Sequence, residues 1–315
     1  MGAQAEEYQT LLMNEVLSSE AEKSTTLTDE EAQPNLEEVE KIIGYSFNNK
    51  VLLKEAFTHS SFLSTERSAS SYERLEYVGD AVLNLLFSRE QYNLYPDLPP
   101  GRLTRLRAAN VDTEKLARVA IKHGLHRYLR HKKPLLEEQI REFTRAISHY
   151  PLHSNGLIDA PKNLADIVES TIGAVFMDCN SIDTVWEAFK DLLEPIINPA
   201  TIKTHPVTQL YEICQKNNLK LRFVDLWEES HTVEVFINNE IVGRGSYSLK
   251  KEVAQNRAAK DALDNIWKVL GEEKENAQDQ DQDQDQEANC QSEELPEMKI
   301  LMCSLQLSWN RLDLD

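Results

Sequence analysis

The sequence predicts a multidomain chain, an all-α domain followed by a small α+β domain of order α-β-β-β-α, with an acidic tail at each end. Residues 73–87 and 160–176 each read as a buried helix, apolar apart from a few charges and almost free of breakers. Residues 205–270 set three alternating apolar runs between two helical stretches. Residues 1–34 and 271–315 hold -17 of the formal net charge of -19, so the part expected to fold is nearly neutral.

Residues 1–34 scatter apolar side chains among Glu, Ser and Thr and read as a disordered acidic extension. The domain over 35–200 turns on two helices. In Glu73-Arg74-Leu75-Glu76-Tyr77-Val78-Gly79-Asp80-Ala81-Val82, continued by Leu83-Asn84-Leu85-Leu86-Phe87, Gly79 is the one breaker. At ~100° per residue Glu73, Glu76 and Asp80 share a face, while Leu75, Val78 and Val82 fall on another suited to a core. In residues 160–176, Pro161 suits a helix start. Asp166 and Glu169, at i and i+3, point the same way, and Lys162 lies one turn earlier on nearly that face.

Carboxylates on apolar helices are costly to bury unless something cationic neutralises them. Arg74 and Lys162 could do so as ion-pair partners on solvated faces. A divalent metal could do so too, and oxygens at one-turn spacing suit Mg²⁺. Two acidic pairs, each inside an otherwise apolar helix, favour four carboxylates converging on one metal cluster. No Ser/His/Asp or Cys/His arrangement stands out, and His59, at an apolar helix end, reads as a hydrogen-bonded packing residue.

The second domain opens with a helix over 205–216, then strands over 221–227 and 232–237. Asn238-Asn239 makes a turn into a strand over 240–246, and a capped helix runs from Ser248 to Leu263. Nine basic and nine acidic residues make 205–270 neutral. Residues 271–315 form an acidic tail in which Gln and Asp alternate over 278–286, a low-complexity run that cannot bury a core. Within it, 298–315 reads either as a docking motif or as an alternative end of the message.

Cys179, Cys214, Cys290 and Cys303 form no C-x-x-C pair and suit a reducing compartment. No run approaches ~18 apolar residues, so no membrane span is expected. An acidic N-terminus argues against a signal or transit peptide, which leaves nucleus or cytoplasm.

Residues 73–83 resemble the signature of ribonuclease III, and residues 162–174 resemble that family's second acidic helix. Ala56-Phe57-Thr58-His59-Ser60-Ser61-Phe62 and residues 101–111 match where the family expects them, and the likeness covers roughly Leu36 to Pro195. The resemblance implies that Glu76, Asp80, Asp166 and Glu169 are metal-binding carboxylates, with hydrolysis depending most on Asp80 and Glu169. It places Glu73 near the cleavage centre and dimer interface, and Lys162 beside the cluster. Residues 205–270 are similar to the double-stranded RNA-binding domain, which implies phosphate contacts from Lys250 and Lys251 and 2′-hydroxyl contacts from Gln209 and Glu212. Two departures predict weak RNA affinity. The family's Gly-Pro-x-His loop is replaced by Glu228-Glu229-Ser230-His231, and a further lysine is lost at Ala254-Gln255. The clusters Arg102-Arg105-Arg107 and Arg127-Arg130-Lys132-Lys133 read equally as RNA contacts or solvated faces.

The implied activity is Mg²⁺-dependent endonucleolytic cleavage of double-stranded RNA, with Mn²⁺ as a substitute and no small-molecule cofactor. One cluster per chain implies a homodimer, one cluster for each strand, and products with 5′-phosphate and short 3′ overhangs. The spacer between the acidic motifs and the acidic extension are closest to plant-type members with one nuclease domain. The competing class is a non-catalytic protein that binds duplex RNA or modulates a related nuclease. Its mark would be loss of an acid, and none of the four is lost.

Overall fold

The computed structural model describes residues 35–63 and 70–267; the tails expected at 1–34 and 271–315 lie outside the described residues, with Cys290 and Cys303. The described chain divides into two units, residues 35–63, 70–154 and 158–202, and residues 203–267 with 155–157.

The first unit is helical: α1 Leu36–Ile43, α2 Lys50–Ala56, α3 Glu73–Leu94, α4 Pro100–Val111, α5 Thr113–Lys122, α6 Leu136–Ile147, α7 Lys162–Cys179 and α8 Ile182–Phe189. Local chemistry sets several boundaries. Asn35, Asn49, Asp112 and Ser181 cap α1, α2, α5 and α8 by accepting from the backbone amide of the second or third residue of each helix. Pro100 opens α4 where its missing N–H is no loss. Gly44 ends α1 in the left-handed conformation at φ 66°.

The interior is built around α7. Leu164, Ile167, Val168, Ile172 and Val175 are fully buried, so this helix is apolar nearly all round, as a central helix must be. It packs most extensively on α3, then on α5 and α2. The α3–α7 crossing is unusually close because both helices present glycine there. A methyl on Gly79 would lie 1.8 Å from the Glu169 carbonyl oxygen, and one on Gly173 would lie 2.1 Å from that of Leu75. Two backbones thus meet with no side chain between them. Gly79, which the sequence presents only as a possible breaker, is the residue that brings the acidic faces together.

The second unit has the order α9 Pro206–Lys216, β1 Leu221–Leu226, a helical turn α10 Trp227–Ser230, β2 Thr232–Ile237, β3 Glu240–Ser246 and α11 over 251–267. The sheet is antiparallel in the order β1-β2-β3, pairing Leu221 with Ile237 and Thr232 with Ser246. Asn238 (φ 49°) and Asn239 (φ 72°) both take positive φ, the geometry a two-residue hairpin turn demands and Asn tolerates. Inward Val233, Val235 and Ile237 meet Leu210, Cys214 and the Ala254, Ala258 and Ala262 face of α11.

Two of the boundaries that differ from expectation matter here. β1 stops at Leu226, because Trp227 donates its backbone N–H to Asp225 Oδ1 (3.0 Å) and its indole N–H to the Tyr247 carbonyl (2.8 Å), which starts a turn of helix instead. The last helix begins at residue 251, not at Ser248, so Lys250 precedes it and Lys251 is its first residue.

Candidate active site

The two acidic helix faces meet above the glycine crossing. Glu76 on α3 and Asp166 and Glu169 on α7 each bring one carboxylate oxygen within 4.8 Å of the others. Asp80, one turn further along α3, stands outside that trio. Its Oδ1 accepts from Asn84 Nδ2 at 2.9 Å, and its charge still reaches Glu169. Glu73 also lies outside it, exposed at the start of α3 and accepting from the Ser71 hydroxyl.

Lys162 lies where the sequence puts it, one turn before Asp166. Its Nζ donates to Glu76 Oε1 (2.6 Å) and Asp166 Oδ1 (2.5 Å), tying α7 to α3. Burial works to lower the Lys162 pKa, but hydrogen bonds to Asp166 and Glu76 outweigh it and hold the ammonium well above its ordinary range. One lysine cannot balance four acids. Burial, and then the charges of Asp80, Asp166 and Glu76, push the Glu169 carboxyl up to about 8.

That imbalance is what a hard divalent cation relieves. An octahedral shell with Mg–O of about 2.1 Å places ligand oxygens roughly 3 to 4.2 Å apart, and the three converging oxygens all lie within 4.8 Å of one another. The donor set is all oxygen, which suits such a cation and not a soft metal.

Three side chains whose part in the site the sequence did not show complete the surroundings, among them Lys133, read there as an RNA contact or solvated face. The Tyr72 hydroxyl donates to Asp166 Oδ2 (3.0 Å), Asn163 Nδ2 donates to Tyr72 Oη (2.7 Å), and Lys133 Nζ donates to Asn163 Oδ1 (2.8 Å). Burial and the Asp166 charge raise the Tyr72 hydroxyl far above its ordinary value, so it stays a donor. Asn163 left one signal in the sequence: an amide on an apolar helix must find partners once buried. His59 behaves as expected of a packing residue. Its ring accepts from Ser61 N–H at 2.9 Å, capping a short 3₁₀ turn, and stands edge-on to Tyr72.

In the second unit, Gln209 and Glu212 lie exposed on α9. Lys251 is paired with Asp225, which holds the lysine above and the aspartate below their ordinary values. A phosphate therefore competes with Asp225 for Lys251. The pair is exposed, so that competition is modest. Among the basic clusters, Arg107 donates to Ser88 Oγ and the Arg130 guanidinium lies 4.3 Å from the Phe62 ring centre.

A cation entering this cluster at neutral pH must displace a proton from Glu169. Divalent-metal affinity should therefore rise as pH approaches 8, by up to ~10-fold per unit, and level off above it. Without metal, the folded chain keeps a proton that the unfolded chain loses near 4.5, so stability should fall as pH rises from about 4.5 to about 8. Calorimetry in buffers of different ionisation enthalpy checks this. About one proton should leave per cation bound at pH 7, and none in Glu169→Gln.

A ribonuclease III domain model matches residues 73–180, and a double-stranded RNA binding motif matches residues 206–266. The chain is 53% identical over 236 residues to ribonuclease 3-like protein 3 of Oryza sativa subsp. japonica, covering 74% of this chain and 79% of that protein. It is 39% identical over 244 residues to ribonuclease 3-like protein 2 of Arabidopsis thaliana, covering 75% and 61%. It is also 45% identical over 252 residues to endoribonuclease Dicer homolog 1 of Oryza sativa subsp. japonica, which spans 77% of this chain but 13% of that protein. Among solved structures, the nuclease domain of ribonuclease III from Campylobacter jejuni is similar at 27% identity and a TM-score of 0.39, over 51% of this chain and 98% of that one. A helical nuclease unit with an acidic centre, followed by a duplex-RNA-binding unit, defines an endoribonuclease directed at double-stranded RNA. The chain belongs to the ribonuclease III family, among its plant ribonuclease III-like proteins.

Proposed function

We propose that this chain is a Mg²⁺-dependent endoribonuclease that hydrolyses both strands of duplex RNA to short products with 5′-phosphate and 3′ overhangs, in RNA processing or small-RNA pathways of the nucleus or cytoplasm. The observation that carries the reading is the meeting of Glu76, Asp166 and Glu169 from two helices within 4.8 Å, with Asp80 close enough to raise Glu169. These four carboxylates hold Mg²⁺, or Mn²⁺ in its place. When bound there, the cation supplies an acidified water and neutralises the departing 3′ oxygen. Asp80 and Glu169 carry the greatest catalytic weight, Glu73 serves near the cleavage centre and the dimer contact, and Lys162 orients Glu76 and Asp166. No small-molecule cofactor takes part.

The domain limits that go with this reading are 35–200 for the nuclease and 205–270 for the RNA reader. The active form is a homodimer, because one cluster cuts one strand. Tyr77, Leu85 and Tyr92, exposed along α3, support an apolar dimer contact. Among the described residues, no helix is long and apolar enough to cross a membrane.

The reader contacts 2′-hydroxyls through Gln209 and Glu212 and phosphates through Lys250 and Lys251. Replacing both lysines by Ala should make the salt dependence of duplex-RNA binding shallower by up to ~2 units, with cleavage weakened but not lost. Filter binding with competitors tests the assignment. Duplex RNA should displace the probe and duplex DNA of equal length should not, since the contacts need an A-form minor groove. Equal competition by DNA, or an unchanged salt slope in the double variant, would give this unit another task.

A further inference from the structure

The bonds from Lys133 to Asp166 have a fixed direction. Lysine has donors only, so it must face the oxygen of the Asn163 amide, which settles that Asn163 Nδ2 points at Tyr72. The Tyr72 oxygen is then occupied as an acceptor, and its single hydrogen is left for Asp166 Oδ2. Tyr72, Asn163 and Asp166 are 2%, 6% and 4% exposed, so water does not compete for these bonds. The backbone is held as well. Tyr72 N–H donates to the Thr58 carbonyl (2.9 Å), while Arg130 N–H donates to Phe57 (2.8 Å) and His59 N–H to Arg130 (3.0 Å), which carries Lys133 to this corner.

We infer that Tyr72 and Asn163 are positioning residues that fix the Asp166 carboxylate as a cation ligand through a one-way hydrogen-bond chain beginning at Lys133. The inference rests on the metal-centre reading above. Lys162 binds one oxygen of Asp166 and Tyr72 the other, so the carboxylate plane is set from two sides before a cation arrives. Partners of this kind set ligand orientation and typically alter metal affinity 10- to 100-fold. The chain makes an unusual demand at residue 163. In Asn163→Asp, similar in shape and able to keep Lys133, a second carboxylate would take the Tyr72 hydrogen away from Asp166.

The test measures Mn²⁺ alone binding to the full chain, without RNA, by the loss of the free-ion paramagnetic resonance signal. Tyr72→Phe and Asn163→Asp should each weaken Mn²⁺ binding ~10- to 100-fold. In the double variant there is no hydrogen left to divert, so its loss should match that of Tyr72→Phe alone. Lys133→Met, an exposed change that leaves the core intact, should give a several-fold loss even if a buried variant folds poorly. Asp166→Asn is the reference. If it loses Mn²⁺ while Tyr72→Phe, Asn163→Asp and Lys133→Met bind within about twofold of the parent, the positioning chain is wrong and the metal centre stands. If Asp166→Asn itself binds Mn²⁺ normally, both fall.

Discussion

Asp80→Asn and Glu169→Gln should each lower the rate of duplex-RNA cleavage by at least ~10³ while leaving duplex binding intact. Both changes preserve shape and remove a carboxyl group that can ionise to meet a cation, so they separate electrostatics from packing. Glu169 sits among three other carboxylates and carries the raised pKa of the group. Asp80 stands outside the trio, exposed and held by Asn84, and its charge reaches Glu169. Neither residue supports the core: Asp80→Asn should melt near the parent, and Glu169→Gln, which removes a carboxyl that is costly to ionise there, should melt no lower than the parent at neutral pH. Single-turnover cleavage beside filter binding checks the prediction. A variant that cleaves at a near-parental rate in Mg²⁺ would remove the carboxylates from the chemistry.

Gly173→Ala should unfold the nuclease unit more readily than any surface change. Its new methyl would sit 2.1 Å from the Leu75 carbonyl oxygen and 3.0 Å from the Gly79 amide nitrogen, both backbone atoms that cannot rotate away. Overpacking usually costs 1–3 kcal/mol, and a rigid backbone obstacle places this case at about 3 kcal/mol or above. For a unit of this size that lowers the melting temperature by roughly 6–12 °C. Separating α3 from α7 also separates Glu76 from Asp166 and Glu169, so Mn²⁺ affinity should fall with stability. Gly79→Ala should behave alike. Gly101→Ala, with nothing within 4 Å, is the control and should be neutral or slightly stabilising. Thermal melting of the three variants measures the difference.

What could be read from the sequence was what one element specifies alone. Acids at one-turn spacing fixed the acidic faces of α3 and α7, although α3, read as buried, leaves Tyr77 and Leu85 exposed, and alternation fixed β2 and β3 to the residue. Asn238-Asn239 announced its turn because few residues accept positive φ in succession. What was hidden depends on residues distant in sequence. Gly79 looks like a flaw in α3 until Gly173 is placed against it. Tyr72 looks like an ordinary core aromatic until Asn163 and Lys133 give its hydroxyl a direction. Lys251 looked available for phosphate, and only the folded sheet brings Asp225 to it. The end of β1 was missed for a similar reason, since the Trp227 indole finds its acceptor at Tyr247, beyond two further strands.

The central claim is that one chain both reads duplex RNA and cuts it with a divalent cation held by four carboxylates. Sizing the products of a long duplex RNA incubated with the full chain, in Mg²⁺ and again with excess chelator, tests it most directly. The account predicts discrete short duplexes with 5′-phosphate ends and 3′ overhangs in Mg²⁺, and intact RNA with chelator. A duplex that stays bound yet uncut in Mg²⁺ would contradict it.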